Sequence, residues 1–202
     1  MSASSWGPAL RGRSAAVSLA LLAALALTAC STGGQDPASH GMDHGSSARD
    51  ADVNHADVMF TTMMIPHHEQ AMEMSDVVLA KDAIDPRVAA LAERIKQAQG
   101  PEIAQMEQWL EEWDADMRGM DGGGHDSGMM DAGDMAALED AEGEAAMRLF
   151  LEQMIEHHEG AVDMAKAEVA NGRNADVVGL ARAIIASQTA EIQEMKGLLD
   201  GR

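Results

Sequence analysis

From about residue 52 onward, apolar residues recur at helical spacing in blocks separated by proline, glycine and asparagine. Ala, Leu, Met, Glu and Gln dominate these blocks, which favours helix throughout. The first block runs from about 52 to 81 and contains Pro66, whose missing backbone donor predicts a kink just before a pair of histidines. Asp85-Pro86 reads as an N-cap followed by proline at the first helical position, opening a second block that reaches about 114. Gly100-Pro101 predicts a bend within it. Residues 115–135 are rich in Met, Gly and Asp, with Met117, Met120, His125, Met129, Met130 and Met135, and predict a loop. A third block from about 136 to 170 ends at Asn171-Gly172, where glycine suits a left-handed C-cap. Asn174 can cap a fourth helix that reaches about Leu199.

The blocks repeat. Met64-Ile65-Pro66-His67-His68-Glu69 and Met154-Ile155-Glu156-His157-His158-Glu159 stand 90 residues apart, and each is followed by an acid-Met pair, Glu73-Met74 and Asp163-Met164. Phe60 matches Phe150 at the same offset. A deletion in the turn then shifts the offset to 89, and Leu91, Ile95, Gln99, Glu102, Ile103, Met106 and Leu110 match Leu180, Ile184, Gln188, Glu191, Ile192, Met195 and Leu199. Most of these positions keep helical spacing and mark one inward face. Each half is thus a helical hairpin too small to bury its apolar stripe alone. The expected fold is all-α: a four-helix bundle of two repeated hairpins, joined by a long crossover.

The repeated text carries the candidate chemistry. On a helix, residues three and four apart share a face. Met64 precedes His67 and His68 at those spacings, and Met154 precedes His157 and His158 in the same way. Met72 adds a turn in the first copy, where the second has Val162, and Met74 and Met164 lie two turns beyond the first His of each pair. Adjacent histidines diverge by about 100°, so one of each pair is expected inward and the other at a helix–helix seam. Imidazole with thioether is a soft to borderline donor set. It suits Cu(I) first and Ag(I) by similar softness, while Cu(II) could use the histidines with Glu69 or Glu159. Zinc is the less favoured alternative. The other reading is packing, since methionine at helical spacing commonly fills cores. A di-iron site would need Glu three residues before each His, and none stands there. No nucleophile motif or phosphate loop is present. Trp109 and Trp113, four apart, are expected to pack at a bundle end.

Ahead of the helices, Arg11 and Arg13, an apolar run from Ala15 to Leu27 and Leu27-Thr28-Ala29-Cys30 read as an export signal over 1–29. The apolar run is too short for a stable membrane span. Leu-Thr-Ala-Cys resembles a lipobox, which makes Cys30, the sole cysteine, the expected lipidation site. Residues 30–50 then form a flexible tether, and the bundle domain occupies 51–200. With two of fourteen basic residues in the signal, the remainder carries 12 basic against 34 acidic residues, a formal charge of −22. That excludes nucleic acid as a partner and limits membrane contact to the lipid anchor. His40-Gly41-Met42-Asp43-His44 and the 117–135 stretch could collect metal weakly and pass it to the helices.

The double M-I-x-H-H-E-x-A-x-[ED]-M text in an exported helical protein resembles the domain of unknown function 305 family over about residues 52–199. The resemblance implies a ferritin-like fold and an association, in some members, with copper binding and tolerance. It implies ligand positions at His67, His68, Met74, His157, His158 and Met164. Gly160 for Gln70 and Val162 for Met72 leave the two halves unequal. The expected function is a membrane-anchored lipoprotein, facing away from the cytoplasm, that buffers, stores or transfers copper without catalysis. Its partners would be a metal ion and a second copy or a copper-transfer protein. The alternatives are a cuprous or ferrous oxidase using the same histidines, and an interaction module with no metal role.

Overall fold

The computed structural model describes residues 52–115 and 128–201. The expected signal, Cys30, the tether with His40, Met42 and His44, and Met117, Met120 and His125 of the crossover lie outside the described residues. Five helices make up the described chain: α1 (His55–Leu79), α2 (Pro86–Glu112), α3 (Ala132–Asp140), α4 (Gly143–Asn171) and α5 (Ala175–Leu199). Among the described residues none of these helices is long and apolar enough to cross a membrane.

The ends are set by local chemistry. Asn54 Oδ1 accepts from the N–H groups of Ala56 and Asp57 at 2.8 and 3.1 Å, and Asp57 Oδ2 accepts in return from Asn54 N–H at 2.6 Å, a reciprocal cap on α1. Asp85 and Asn174 cap α2 and α5 as expected. Helices α1 and α2 both run continuously through their internal prolines, Pro66 and Pro101.

Two sequence expectations need correction. The third block is two helices, and the expected loop to 135 ends earlier. Asp131 and Asp134 form a second reciprocal cap that starts α3 at Ala132. The chain breaks at 141–142, where Gly143 takes a left-handed φ of 54° before α4 begins. The second correction concerns Gly172, whose φ of −66° and ψ of 156° are extended, not left-handed. Glycine is needed there for proximity instead, because a Cβ would stand 1.9 Å from Glu168 Oε1 and 2.8 Å from the Glu168 carbonyl oxygen.

Helix α1 packs along α2 and α4 along α5, so each repeat is a hairpin; α1 and α4 meet between them, and α3 lies against both. Arg94 Nη2 donates to both carboxylate oxygens of Glu194, at 2.6 and 2.7 Å, and links α2 to α5 at the exposed surface. Two apolar clusters fill the interior. One gathers Met74, Val78, Leu91, Ile95, Leu138, Phe150, Met154 and Met195. The other gathers Phe60, Met64, Met106, Ala161, Val177 and Ile184. Each fully buried Leu, Ile, Met or Phe contributes roughly 1.5–3 kcal/mol. Trp109 and Trp113 stack with ring centroids 6.2 Å apart and pack against the second cluster.

The clusters are separated along every long helix by polar residues. On α1 these are His67 and His68, on α2 Gln99 and Glu102, on α4 His157 and His158, and on α5 Gln188 and Glu191. All but the two glutamates are buried. The inward faces read from the repeat are therefore apolar at both ends and polar in the middle.

Candidate metal centre

His67 and His157 occupy matching positions in the two repeats, and their rings touch: the centroids are 3.7 Å apart with planes inclined at 40°. A residue that contacts its own repeat-mate lies on the axis relating the halves. The first histidine of each pair thus sits at the centre of the molecule, where α1 meets α4. The second turns away by the helical angle, as expected. His68 Nε2 lies 2.8 Å from Glu102 Oε2 on α2, and His158 Nε2 lies 2.7 Å from Glu191 Oε2 on α5. These are the seams within each hairpin.

A carboxylate oxygen can only accept, so each Nε2 donates. In the neutral ring this leaves the lone pair on Nδ1. Nδ1 of His68 and Nδ1 of His158 are both buried without a hydrogen-bond partner, and so are the Oε1 atoms of Gln99 and Gln188. Glu102 and Glu191 thus act on the imidazoles as carboxylates do behind metal-bound histidines, fixing ring orientation and tautomer. His157 is held well below the ordinary histidine range, first by burial and then by the neighbouring His67, His158 and His68, and it stays neutral.

The methionines divide between the two apolar clusters. Met64 is buried in one, and Met74 and Met154 are buried in the other. Helical spacing puts Met64 and Met154 one turn from the first histidine, roughly 4.5 Å along the axis. Met164 is only half-buried and faces a pocket lined also by Met59 and Met63. Met72 is half-buried. Glu69 and Glu159 are exposed, and Glu159 pairs with Lys196 at 2.9 Å. The acids that reach the imidazoles are Glu102 and Glu191, which the sequence reading placed on the inward face without a role. The available signal was an acid repeated at matching inward positions.

The departures between the repeats have structural uses. Gln70 clasps the Met130 backbone, donating to its carbonyl and accepting from its N–H, both at 2.8 Å. Its repeat-mate Gly160 is buried against Gly128, whose left-handed φ of 74° and approach to the Glu156 carbonyl exclude any side chain. Gln70 and Gly160, one position in two copies, secure the end of the crossover on α1 and α4.

Among the described residues no three His, Asp or Glu side chains converge on a ready metal position. The donor set nevertheless fits a soft or borderline ion: imidazoles, with Nδ1 of His68 and His158 unpartnered, and thioethers a turn away. Rings in van der Waals contact leave no room between them, so binding an ion there requires the imidazoles to part.

These features define an all-α protein of two repeated hairpins, with a buried His-His-Glu set contributed by each. The chain belongs to the DUF305 family, a domain of unknown function whose sequence model matches residues 57–199. It is similar to a DUF305 protein of Streptomyces coelicolor assigned as secreted, with 34% identity and a TM-score of 0.68 over 72% of this chain and 93% of that one. A DUF305 fragment from Deinococcus radiodurans shares 30% identity at a TM-score of 0.67, over 74% of this chain and 99% of that one. CopM in its Cu(I)-bound form shares 33% identity at a TM-score of 0.62, over 72% of this chain and 96% of that one. CopM is also known in Cu(II)-bound and Ag-bound forms. Among curated proteins none matches the chain.

Proposed function

We propose that this protein is a lipid-anchored copper carrier of the cell envelope, which buffers or stores Cu(I) and Cu(II) and passes them to a partner without catalysis. The observation that carries the reading is the polar layer at the bundle centre. Each buried polar atom without a partner costs about 1–3 kcal/mol, and Nδ1 of His68 and His158 with Oε1 of Gln99 and Gln188 make a set of such atoms in both halves. An apolar layer would be more stable. A metal ion taken by the imidazoles would offset that cost. The copper- and silver-bound forms of CopM, a protein about one-third identical, support the choice of ion. His67, His68, His157 and His158 would hold it, with Met64, Met154 and Met74 as thioether donors from the flanking turns.

Anchoring rests on Cys30 and the export signal before it. A Cys30→Ser variant is expected to leave the membrane fraction. The metal reading is tested by anaerobic Cu(I) competition titration of the full chain beside a variant with His67, His68, His157 and His158 changed to Ala. Tight binding lost in a variant that keeps its helical circular dichroism supports it. Binding unchanged in that variant, or none in the wild type, sinks it. Oxygen consumption on adding cuprous or ferrous ion would replace the carrier by an oxidase.

A further inference from the structure

The groove between α1 and α4 is covered at one end and open at the other. At the Met74–Phe150 end α3 lies over it: Leu138 is buried there, and Gln153 Nε2 donates to the Asp134 carbonyl at 2.9 Å. At the Phe60 end the two helices leave a pocket of about 170 Å³, lined by Met59, Phe60, Met63, Met164, Glu168 and Asn171 among others. No Lys, Arg or His lines it.

Three of these residues are thioethers, and two of them, Met59 and Met63, have no methionine at the matching position of the other repeat. The repeat-mates of Met59, Met63 and Glu168 are Leu149, Gln153 and Val78; only Met164 has a methionine mate, Met74. The first half of the groove could have been built from Leu and Gln as the second was. All three methionines are half-buried, so the pocket is open to solvent while the four histidines are wholly enclosed. Met63 stands four residues before His67, and Met164 seven after His157. That is roughly 6 and 10 Å along the helices from the central rings.

We propose that Met59, Met63 and Met164 form a second metal site, thioether-only, that takes a soft monovalent ion, Cu(I) or Ag(I), at the open end of the groove above the buried imidazoles. The ion is the cargo of the reading given above, so this inference rests on it. Thioethers are soft, neutral and do not titrate. Methionine's unbranched chain lets three sulfurs converge from two helices. Glu168 is the one acid in the wall, so the donors at the opening are predominantly thioethers. Such a pocket should favour soft monovalent ions over Cu(II) and Zn(II), which want charged or nitrogen donors.

The test uses full-chain protein carrying ¹³C-methyl methionine, titrated with Ag(I) by NMR and with Cu(I) by anaerobic competition. The methyl resonances of Met59, Met63 and Met164 are assigned by single Met→Leu changes. Addition of Ag(I) is expected to shift those three together, in the wild type and in the four-histidine variant alike. A Met59→Leu/Met63→Leu/Met164→Leu variant should bind one ion fewer, and Zn(II) should leave the three methyls unmoved. Three unmoved methyls under Ag(I), or unchanged stoichiometry in the Leu variant, overturns the second site while leaving the imidazole site standing. No Ag(I) or Cu(I) binding anywhere removes both. Should the triple variant unfold, Met63→Leu alone, which conserves volume, must still broaden or abolish the shift at Met59 and Met164.

Discussion

Glu168 gives the sharpest thermodynamic test, because its carboxyl is kept neutral where an unfolded chain would ionise it. Its neighbour Asp57 has fixed employment: Oδ1 accepts from the N–H groups of Arg173 and Asn174 at 3.0 and 2.9 Å, and Oδ2 from Asn54. Burial first, and then Asp57, whose two oxygens already accept, disfavour a second charge beside it, so Glu168 keeps its proton. The native carboxyl titrates at about 8 against 4.5 in the unfolded chain. Between those values the native state binds more protons than the unfolded state, so stability falls as pH rises through the window. Below 4.5 both states are protonated and the penalty vanishes; above about 8 it is complete.

At about 1.4 kcal/mol per pH unit the full penalty would reach about 5 kcal/mol; water at the pocket wall screens it, so about 2–3 kcal/mol is expected. Glu168→Gln keeps the shape, donates to Asp57 through its amide, and cannot ionise. Urea unfolding of both proteins from about pH 4.5 to about pH 9 should show the variant gaining on the wild type across the window by that amount. The difference curve cancels the titrations common to both proteins. A flat difference, or a variant that loses ground as pH rises, would refute the shared-proton account of the Asp57–Glu168 pair.

Three further outcomes follow from the same geometry. Glu102→Gln with Glu191→Gln replaces the carboxylates behind His68 and His158 by neutral amides that can donate as well as accept, so the tautomers are no longer fixed; copper affinity should fall about 10–100-fold with helical circular dichroism unchanged, as read by Cu(I) competition. His157 stays neutral in the fold while its unfolded counterpart protonates near 6.5, so stability is whole above that value and is lost as pH falls below it; His157→Gln should flatten the acid limb of the urea-unfolding profile. Gly128→Ala forces a Cβ to 2.4 Å from the Glu156 carbonyl at a left-handed φ, and should lower unfolding free energy by about 1–3 kcal/mol, measured by urea titration.

The all-α fold and its two-hairpin plan were legible because apolar spacing and an internal repeat report on the same inward faces. Asp85 and Asn174 gave helix starts for the same local reason, a side-chain oxygen placed to accept from the first turn. Helix α3 was hidden because its Met-Gly surroundings read as loop, although Asp131 and Asp134 already stood at capping-box spacing. Gly172 was misread because sequence records a glycine but not whether φ or a close neighbour demands it. Both histidine pairs were legible from their repetition. Their partners were not, since Glu102 and Glu191 lie 34 and 33 residues away and meet the rings only through hairpin packing. Met59 and Met63 were invisible as a group with Met164, because a period read along one helix says nothing about which turns two helices bring together.

The contact between His67 and His157 also constrains how such a protein can work. A duplicated hairpin that closes on itself places one residue of each copy on the relating axis, and there the two copies must share a single space. The flanking His68–Glu102 and His158–Glu191 pairs remain separate, one in each hairpin. Duplication thus yields one central position and two lateral ones, and whatever is held at the centre would touch both halves. Asymmetry then enters only away from the axis. The α3 cover closes one end of the groove, while Met59, Met63 and Met164 line the open end. An ion bound by the buried imidazoles, as proposed above, would therefore have a preferred side from which to approach, set by where the two copies have diverged and not by what they share.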